Sequence, residues 1–313
     1  ALLPRSLWAV QPALSGAKGR YGDTAVRARG DYFIERWSWA MGQPVHLQVF
    51  AESEGQGYDA AAAALAELRR VESRLTLFDD TSDLVELNRR AGGRGLRVGA
   101  DLAAVLSAGL RMDQATAGAF NPAVEPLMRA WGFHVPRVNE PSRAEIQEAR
   151  DAVRTASIVV RGNRVTVPHA ATRLDLGGIG VGYGLDRAAS VLRRLGIRSA
   201  LLDISGDFIA IGAPPGQKDG WLIEIAAAGI GASIMASTRL RDAALATSAN
   251  TMSVVRYGRA VRGHVMNPKT GWPADALVQV SVVARTGIEA DALSTAMLVS
   301  GKPAAGVLQY YEA

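Results

Sequence analysis

The chain has no cysteine. In the sequence as given, that excludes disulfides, thiol nucleophiles, zinc–thiolate centres and a lipid-anchored N-terminal cysteine. It fits an oxidising compartment, where stray thiols are a liability. No apolar run reaches the ~18–20 residues needed to cross a bilayer, so no transmembrane segment is expected. No basic block interleaved with aromatics is present, which argues against a nucleic-acid partner. Internal repeats and low-complexity linkers are missing as well. The first residue is Ala1 rather than Met. With the missing thiols, this sets the expectation of a periplasmic or otherwise exported protein whose signal has been removed.

What is present suffices for a large core: 313 residues, 48% of them hydrophobic. The 33 glycines imply many turns and short elements. Net charge is +5, from 35 basic and 30 acidic side chains spread along the chain, compatible with an acidic ligand without demanding one.

Residues 1–36 carry Arg5, Lys18, Arg20, Arg27, Arg29 and Arg36, with Pro and Gly between the apolar clusters. They read as an irregular arm that packs along the body or reaches other subunits. Alternation at Val45, Leu47 and Val49 predicts a half-buried strand. Leu65, Leu68, Val71 and Leu75 give an amphipathic helix over Asp59–Phe78, and Asp83–Arg90 a short second one. Asp101 is read as the cap of a third helix, and GAFNPAVEPLMRAWGF as a loop. Ser142 and Glu145 form a capping box opening a helix to about Thr155. SIVVRGNRVTV predicts a hairpin about Gly162-Asn163. A helix from Leu185, a buried strand over Ser199–Ile204, a strand over Leu277–Ala284 and a helix over Glu289–Ser300 complete the pattern. Hairpin-joined strands outnumber interleaved helices. The expectation is an α+β fold with mainly antiparallel sheet in two joined lobes, residues 37–313 forming one domain.

A few places can carry chemistry. Gly177, Gly178, Gly180, Gly182 and Gly184 crowd ahead of a helix. They predict backbone at positive φ and a cradle for an anion, with a tight turn as the alternative. Asp291 and Thr295, four apart on the last helix, project from one face. They suit Mg²⁺ or Ca²⁺, or else pack as a polar pair against a neighbouring loop. His264 precedes the turn Asn267–Gly271 and either exchanges a proton near neutral pH or serves as a structural hydrogen-bonder. Asp203 and Asp207, flanking Gly206, are turn formers or ligands.

Taken in order, AMGQPVHLQVF, SRLTLFDDTSDLVELNR, GAFNPAVEPLMRAWGF, LDLGGIGVGYGLD, HVMNPKTGWP and ADALSTAMLVSG resemble successive motifs of the FAD:protein FMN transferase family, also called the ApbE family. The resemblance runs from about Met41 to about Lys302. It implies an α+β fold that binds FAD with its pyrophosphate at a Mg²⁺ site. It further implies transfer of the FMN portion to a Thr or Ser hydroxyl of an acceptor flavoprotein, with release of AMP. Asp291, Thr295 and a carbonyl near Gly180 are then the Mg²⁺ ligands, and the glycine N–H groups the phosphate cradle. His264 is the group that helps deprotonate the incoming hydroxyl. Met41, Phe78, Asp83, Asn121, Gly178, Val181, Asp186, Gly206, Asp207 and Ser248 match positions around the family's flavin site.

The chain also departs from the family pattern. Val181 stands where GIAKGY usually has Lys, Asn267 where HIIDP has Asp, and Asn121 where GAFDP has Asp. Phe78 replaces the usual Tyr, and Ser248-Ala249-Asn250 the usual SGD. Losing a charge-assisted contact to phosphate lowers a rate by roughly 10²–10³. Two further expectations therefore stand beside the transferase. One is an FAD-binding or scaffold subunit with weak or no transfer. The other is hydrolysis of FAD to FMN and AMP at the same metal site.

Overall fold

The computed structural model describes residues 24–28, 31–228, 233–251 and 253–301. The chain opens with β1 (Thr24–Ala28), β2 (Asp31–Ala40) and β3 (Gln43–Ala51), then the long helix α1 (Glu54–Leu75) and short α2 (Asp83–Arg89). Next come β4 (Leu96–Arg97), α3 (Ala100–Ala115), α4 (Glu125–Ala130) and α5 (Arg143–Arg154). The hairpin β5 (Val159–Arg161) and β6 (Arg164–Thr166) joins β4 in a small sheet. After α6 (Gly180–Arg194) run β7 (Ser199–Ile204), β8 (Asp207–Ile211), the hairpin β9 (Trp221–Ala226) and β10 (Ile234–Leu240), and β11 (Ala244–Ala249). A last hairpin, β12 (Val254–Tyr257) and β13 (Ala260–Gly263), precedes β14 (Gln279–Ala284) and α7 (Gly287–Ser300).

The main sheet has the order β1-β2-β3-β7-β8-β11-β14, and every neighbouring pair in it is antiparallel. One face buries Ile34, Leu47, Leu202 and Ile209 under Leu65 and Leu68 of α1 and Leu185 and Leu192 of α6. Each such fully buried side chain contributes about 1.5–3 kcal/mol. The other face packs Phe50, Leu201 and Phe208 against Trp221 and Ile223 of β9. A second large cluster joins Leu84, Leu106, Phe120 and Leu174 to Leu298 of α7, and Met41 touches both clusters. The α+β architecture and antiparallel sheet are thus as the sequence predicts.

Several local expectations change. The irregular arm was expected through residue 36, yet residues 24–28 and 31–36 are strand. Asp31, Glu35 and Arg36 interrupt the apolar pattern because Ile34 faces one cluster while the Phe33 ring packs tilted against Phe50 on the opposite side. Residues 1–23, with the rest of the arm and its expected subunit contact, lie outside the described residues. β3 is buried on both faces, not one: His46 and Gln48 are enclosed with Glu35, and His46 stacks on Trp37 at 4.0 Å. Asp101 sits in the first turn of α3 but is no cap, because Arg70 and the Tyr183 hydroxyl hold its carboxylate. The 118–133 loop contains α4. The capping box of Ser142 and Glu145 and the Gly162-Asn163 hairpin are present as expected.

Candidate active site

The stretch from Leu174 to Gly184 is held at its start by α2. Buried Asn88 donates its amide to the Leu174 carbonyl at 2.9 Å and accepts from the Leu174 N–H at 2.8 Å. Asp175 then accepts from the Gly177 N–H at 2.7 Å, and α6 begins at Gly180. None of the glycines at 177, 178, 180, 182 and 184 has positive φ, contrary to expectation. Gly178 and Gly182 are there for close approach, whereas a Cβ on Gly180 would meet open space. A Cβ on Gly182 would strike the Gly287 carbonyl, and one on Gly178 would lie 2.9 Å from the Thr295 hydroxyl. The expected N–H cradle also narrows. Gly177, Gly180 and Gly182 already donate, to Asp175, the Leu176 carbonyl and Asp291.

This close crossing sets α7 against α6. The Asp186 carboxylate accepts from the N–H groups of Gly287 and Ile288 at 2.7 and 2.9 Å, capping α7 from outside. Asp291, one helical turn further, accepts from Gly182 N–H at 3.0 Å. The Ser248 hydroxyl on β11 meets Ser294 at 2.7 Å and Thr295 at 3.2 Å. Beside it, Asp207 accepts from the Thr247 N–H at 2.9 Å. Gly206, at φ +100, makes the turn in which Asp203 accepts from its N–H.

Burial outweighs the backbone N–H bonds that support the carboxylates of this corner. Burial raises the Asp291 pKa to about 7 and that of Asp203 to about 6, and it raises Asp186 as well. Asp207 is pushed well above the ordinary carboxylate range by burial and by the charge of Asp291. Among the described residues, none of the four has a cationic side chain within ion-pair distance. Nor does any group of three or more His, Asp or Glu side chains converge as a metal cage there. The donor set is instead buried carboxylate plus hydroxyl and carbonyl, hard oxygens that fit a divalent cation with further ligands from outside the protein.

A second group borders the same loop. His264 is enclosed, with Nδ1 lacking a protein partner, and Phe133 lies edge-on at 6.4 Å. Burial holds its pKa below the imidazole value, opposed by the Ser253 carbonyl and by Asp175. His134 reaches Asp175 through Nε2 at 3.1 Å and Glu125 through Nδ1 at 3.6 Å. Burial works against its charge, but these two carboxylates prevail and raise its pKa to about 9. The Phe78 ring, 84% exposed, stands edge-on to His134 at 6.1 Å.

The sequence profile of the ApbE family matches residues 41–311. The chain belongs to the ApbE family. A relative from Treponema pallidum named FAD:protein FMN transferase is 30% identical over 76% of this chain and 72% of its own length. Another of that name, from Rhodobacter capsulatus, is 28% identical over 84% of this chain, which spans only 51% of that relative. The ApbE protein of Thermotoga maritima superposes with a TM-score of 0.78 at 28% identity, covering 86% of this chain and 88% of its own. The apo flavinyl transferase ApbE of Pseudomonas stutzeri superposes at 0.73 with 26% identity, covering 86% and 85%.

On this ApbE framework, Gly178, Gly180, Asp186, Gly206, Asp207, Ser248, Asp291 and Thr295 come together in the α6–α7 corner. Phe78 and His264 flank it through His134 and Asp175. Other expected residues have local partners. Asp83 accepts from the Gly99 N–H and pairs with Arg74. Asn121 accepts from Ala123 N–H and turns its amide to Asp113. Met41, at φ +57 in the β2–β3 turn, packs near Gly184, and Val181 packs on the sheet-facing core. His134, Asp175 and Glu125 were missed. They lie far apart in sequence, and the one hint was a rare histidine directly after the aromatic Trp131-Gly132-Phe133.

Proposed function

We propose that this chain is a Mg²⁺-dependent FAD:protein FMN transferase, periplasmic or otherwise exported, that attaches FMN to a Thr or Ser of an acceptor flavoprotein. The observation that carries this reading is the pair Asp207 and Asp291, buried carboxylates of which Asp291 raises the charge cost of Asp207, with no cationic side chain at ion-pair distance among the described residues. Names of the relatives support the activity. Asp291, the Thr295 hydroxyl and the Gly180 carbonyl would hold Mg²⁺, which neutralises pyrophosphate charge when bound.

The chain's own groups do the remaining work. Burial favours the uncharged ring of His264, and its buried, unpartnered Nδ1 would take the proton of the incoming hydroxyl once the surrounding segment admits it. The hydroxyl oxygen bonds to the FMN phosphorus as the bridging P–O bond breaks, and AMP leaves with that electron pair. Ser248 fixes the Thr295 hydroxyl, and Gly182 fixes the Asp291 carboxylate, so both oxygens are oriented before a ligand arrives. Phe78 offers an exposed aromatic face for a flavin or adenine ring.

Incubation with FAD, Mg²⁺ and a Thr-containing acceptor domain tests the proposal, following AMP release and acceptor mass. An FMN-mass adduct supports transfer, and AMP without adduct points to hydrolysis. Neither product, with FAD still bound, would leave only the scaffold reading. Fractionation of expressing cells tests export.

A further inference from the structure

The helix α5 carries a basic stripe. Arg143, Gln147, Arg150 and Arg154 fall on one side at 100° per residue, while Ile146, Ala149 and Val153 pack on the Trp131 cluster. Nearby acids are engaged: Glu145 with Ser142 and Arg137, Asp151 with Gln147 and Arg154. Two shallow cavities, about 250 and 290 Å³, adjoin at Arg150. Arg154 and Lys269 line the first, and Arg143 and Trp272 line the second. Among the described residues, Arg143, Arg150 and Lys269 have no carboxylate at ion-pair distance. Trp272, 41% exposed, is braced by Trp131 at 5.0 Å and by Arg262.

We propose that this groove docks an acidic, extended segment of the acceptor protein. The naming of that partner rests on the transferase reading. The groove borders the active site on two sides. Asn121 lines it, and the ring of its neighbour Phe120 would lie 3.5 Å from a Cβ on Gly178. Lys269 and Trp272 belong to the loop that follows His264. The cations are strung out rather than convergent. Arg143 and Arg154 are eleven residues apart, ~16 Å along the helix axis. That span matches about five residues of extended chain. A single phosphate would need donors aimed at one point, whereas carboxylates spaced along a strand meet these cations in turn, with Trp272 as an apolar stop.

The test uses the full chain, a fluorescein-labelled hexaglutamate peptide and the double variant Arg143→Glu/Arg150→Glu, with polarisation as the readout and FAD absent. The peptide is expected to bind at low salt, about tenfold more weakly to the variant, and to be released by rising salt. Inorganic phosphate at equal charge concentration is expected to compete poorly. No binding, equal binding to both proteins, or efficient displacement by phosphate would overturn the proposal. In the transfer assay, the variant should raise the KM for acceptor about tenfold and leave kcat and FAD affinity within twofold. An unchanged KM overturns the docking role. If the peptide binds through these arginines but no acceptor gains FMN mass, the transferase reading falls while the acidic dock stands.

Discussion

Gly182 of α6 and Gly287 of α7 meet backbone to backbone, each occupying the space where the other's Cβ would stand. Alanine at either position must push the helices apart, and the Gly182 N–H that holds Asp291 moves with them. Gly182→Ala and Gly287→Ala should each destabilise the fold by about 1–3 kcal/mol. Urea denaturation measures this, and midpoints equal to wild type would show that the crossing relaxes freely.

Asp291 should couple stability to metal. Mg²⁺ at about a hundredfold excess over its Kd stabilises a one-site protein by about 2.7 kcal/mol. Wild type should show such a rise in Tm on adding Mg²⁺, and Asp291→Asn none. In EDTA the variant should be at least as stable as wild type, because the neutral amide removes the repulsion from Asp207. A Tm that ignores Mg²⁺ in both proteins would mean that the carboxylate only braces α6.

Phe78 contributes little to the folded state, being 84% exposed. Phe78→Ala should therefore keep the unfolding free energy within about 0.5 kcal/mol. Loss of a stacking face should weaken FAD binding by about 1–3 kcal/mol. Titration of FAD against both proteins distinguishes this from a bystander role, which predicts identical affinities.

His134 makes stability fall in alkali. Its folded pKa, about 9, lies above the unfolded value near 6.5, so its contribution is complete below the unfolded value and disappears as pH rises through about 9. The full effect is about 3 kcal/mol. Wild type should lose stability between pH 7 and 10 relative to His134→Gln, whose profile should be flatter. Parallel profiles would show that Asp175 and Glu125 do not hold the charged ring.

Local signals in the sequence were the dependable ones. The Ser142–Glu145 box and the Gly162-Asn163 turn depend on residues within a few positions of one another, and both formed as expected. The placement of Asp291 and Thr295 on one helix face followed from spacing alone. What was hidden depends on distant chain. Gly182 looks like part of a turn until α7, about a hundred residues later, supplies the backbone it makes room for. Asp101 looks like a cap until Arg70 and Tyr183 claim it. The His134 cluster joins α4, the loop after it and the loop before α6, a meeting that no periodicity encodes. β2 reads as irregular because it feeds two cores at once.

The two bonds from Asp186 to the start of α7 give the site one immovable wall. With α6 and α7 held together there and at the Gly182–Gly287 contact, any widening for the proposed dinucleotide would fall to the segments bearing Phe78 and His264. On the transferase reading, ligand exchange would then be governed by those segments, and the clamped wall would fix the place of the reacting phosphate.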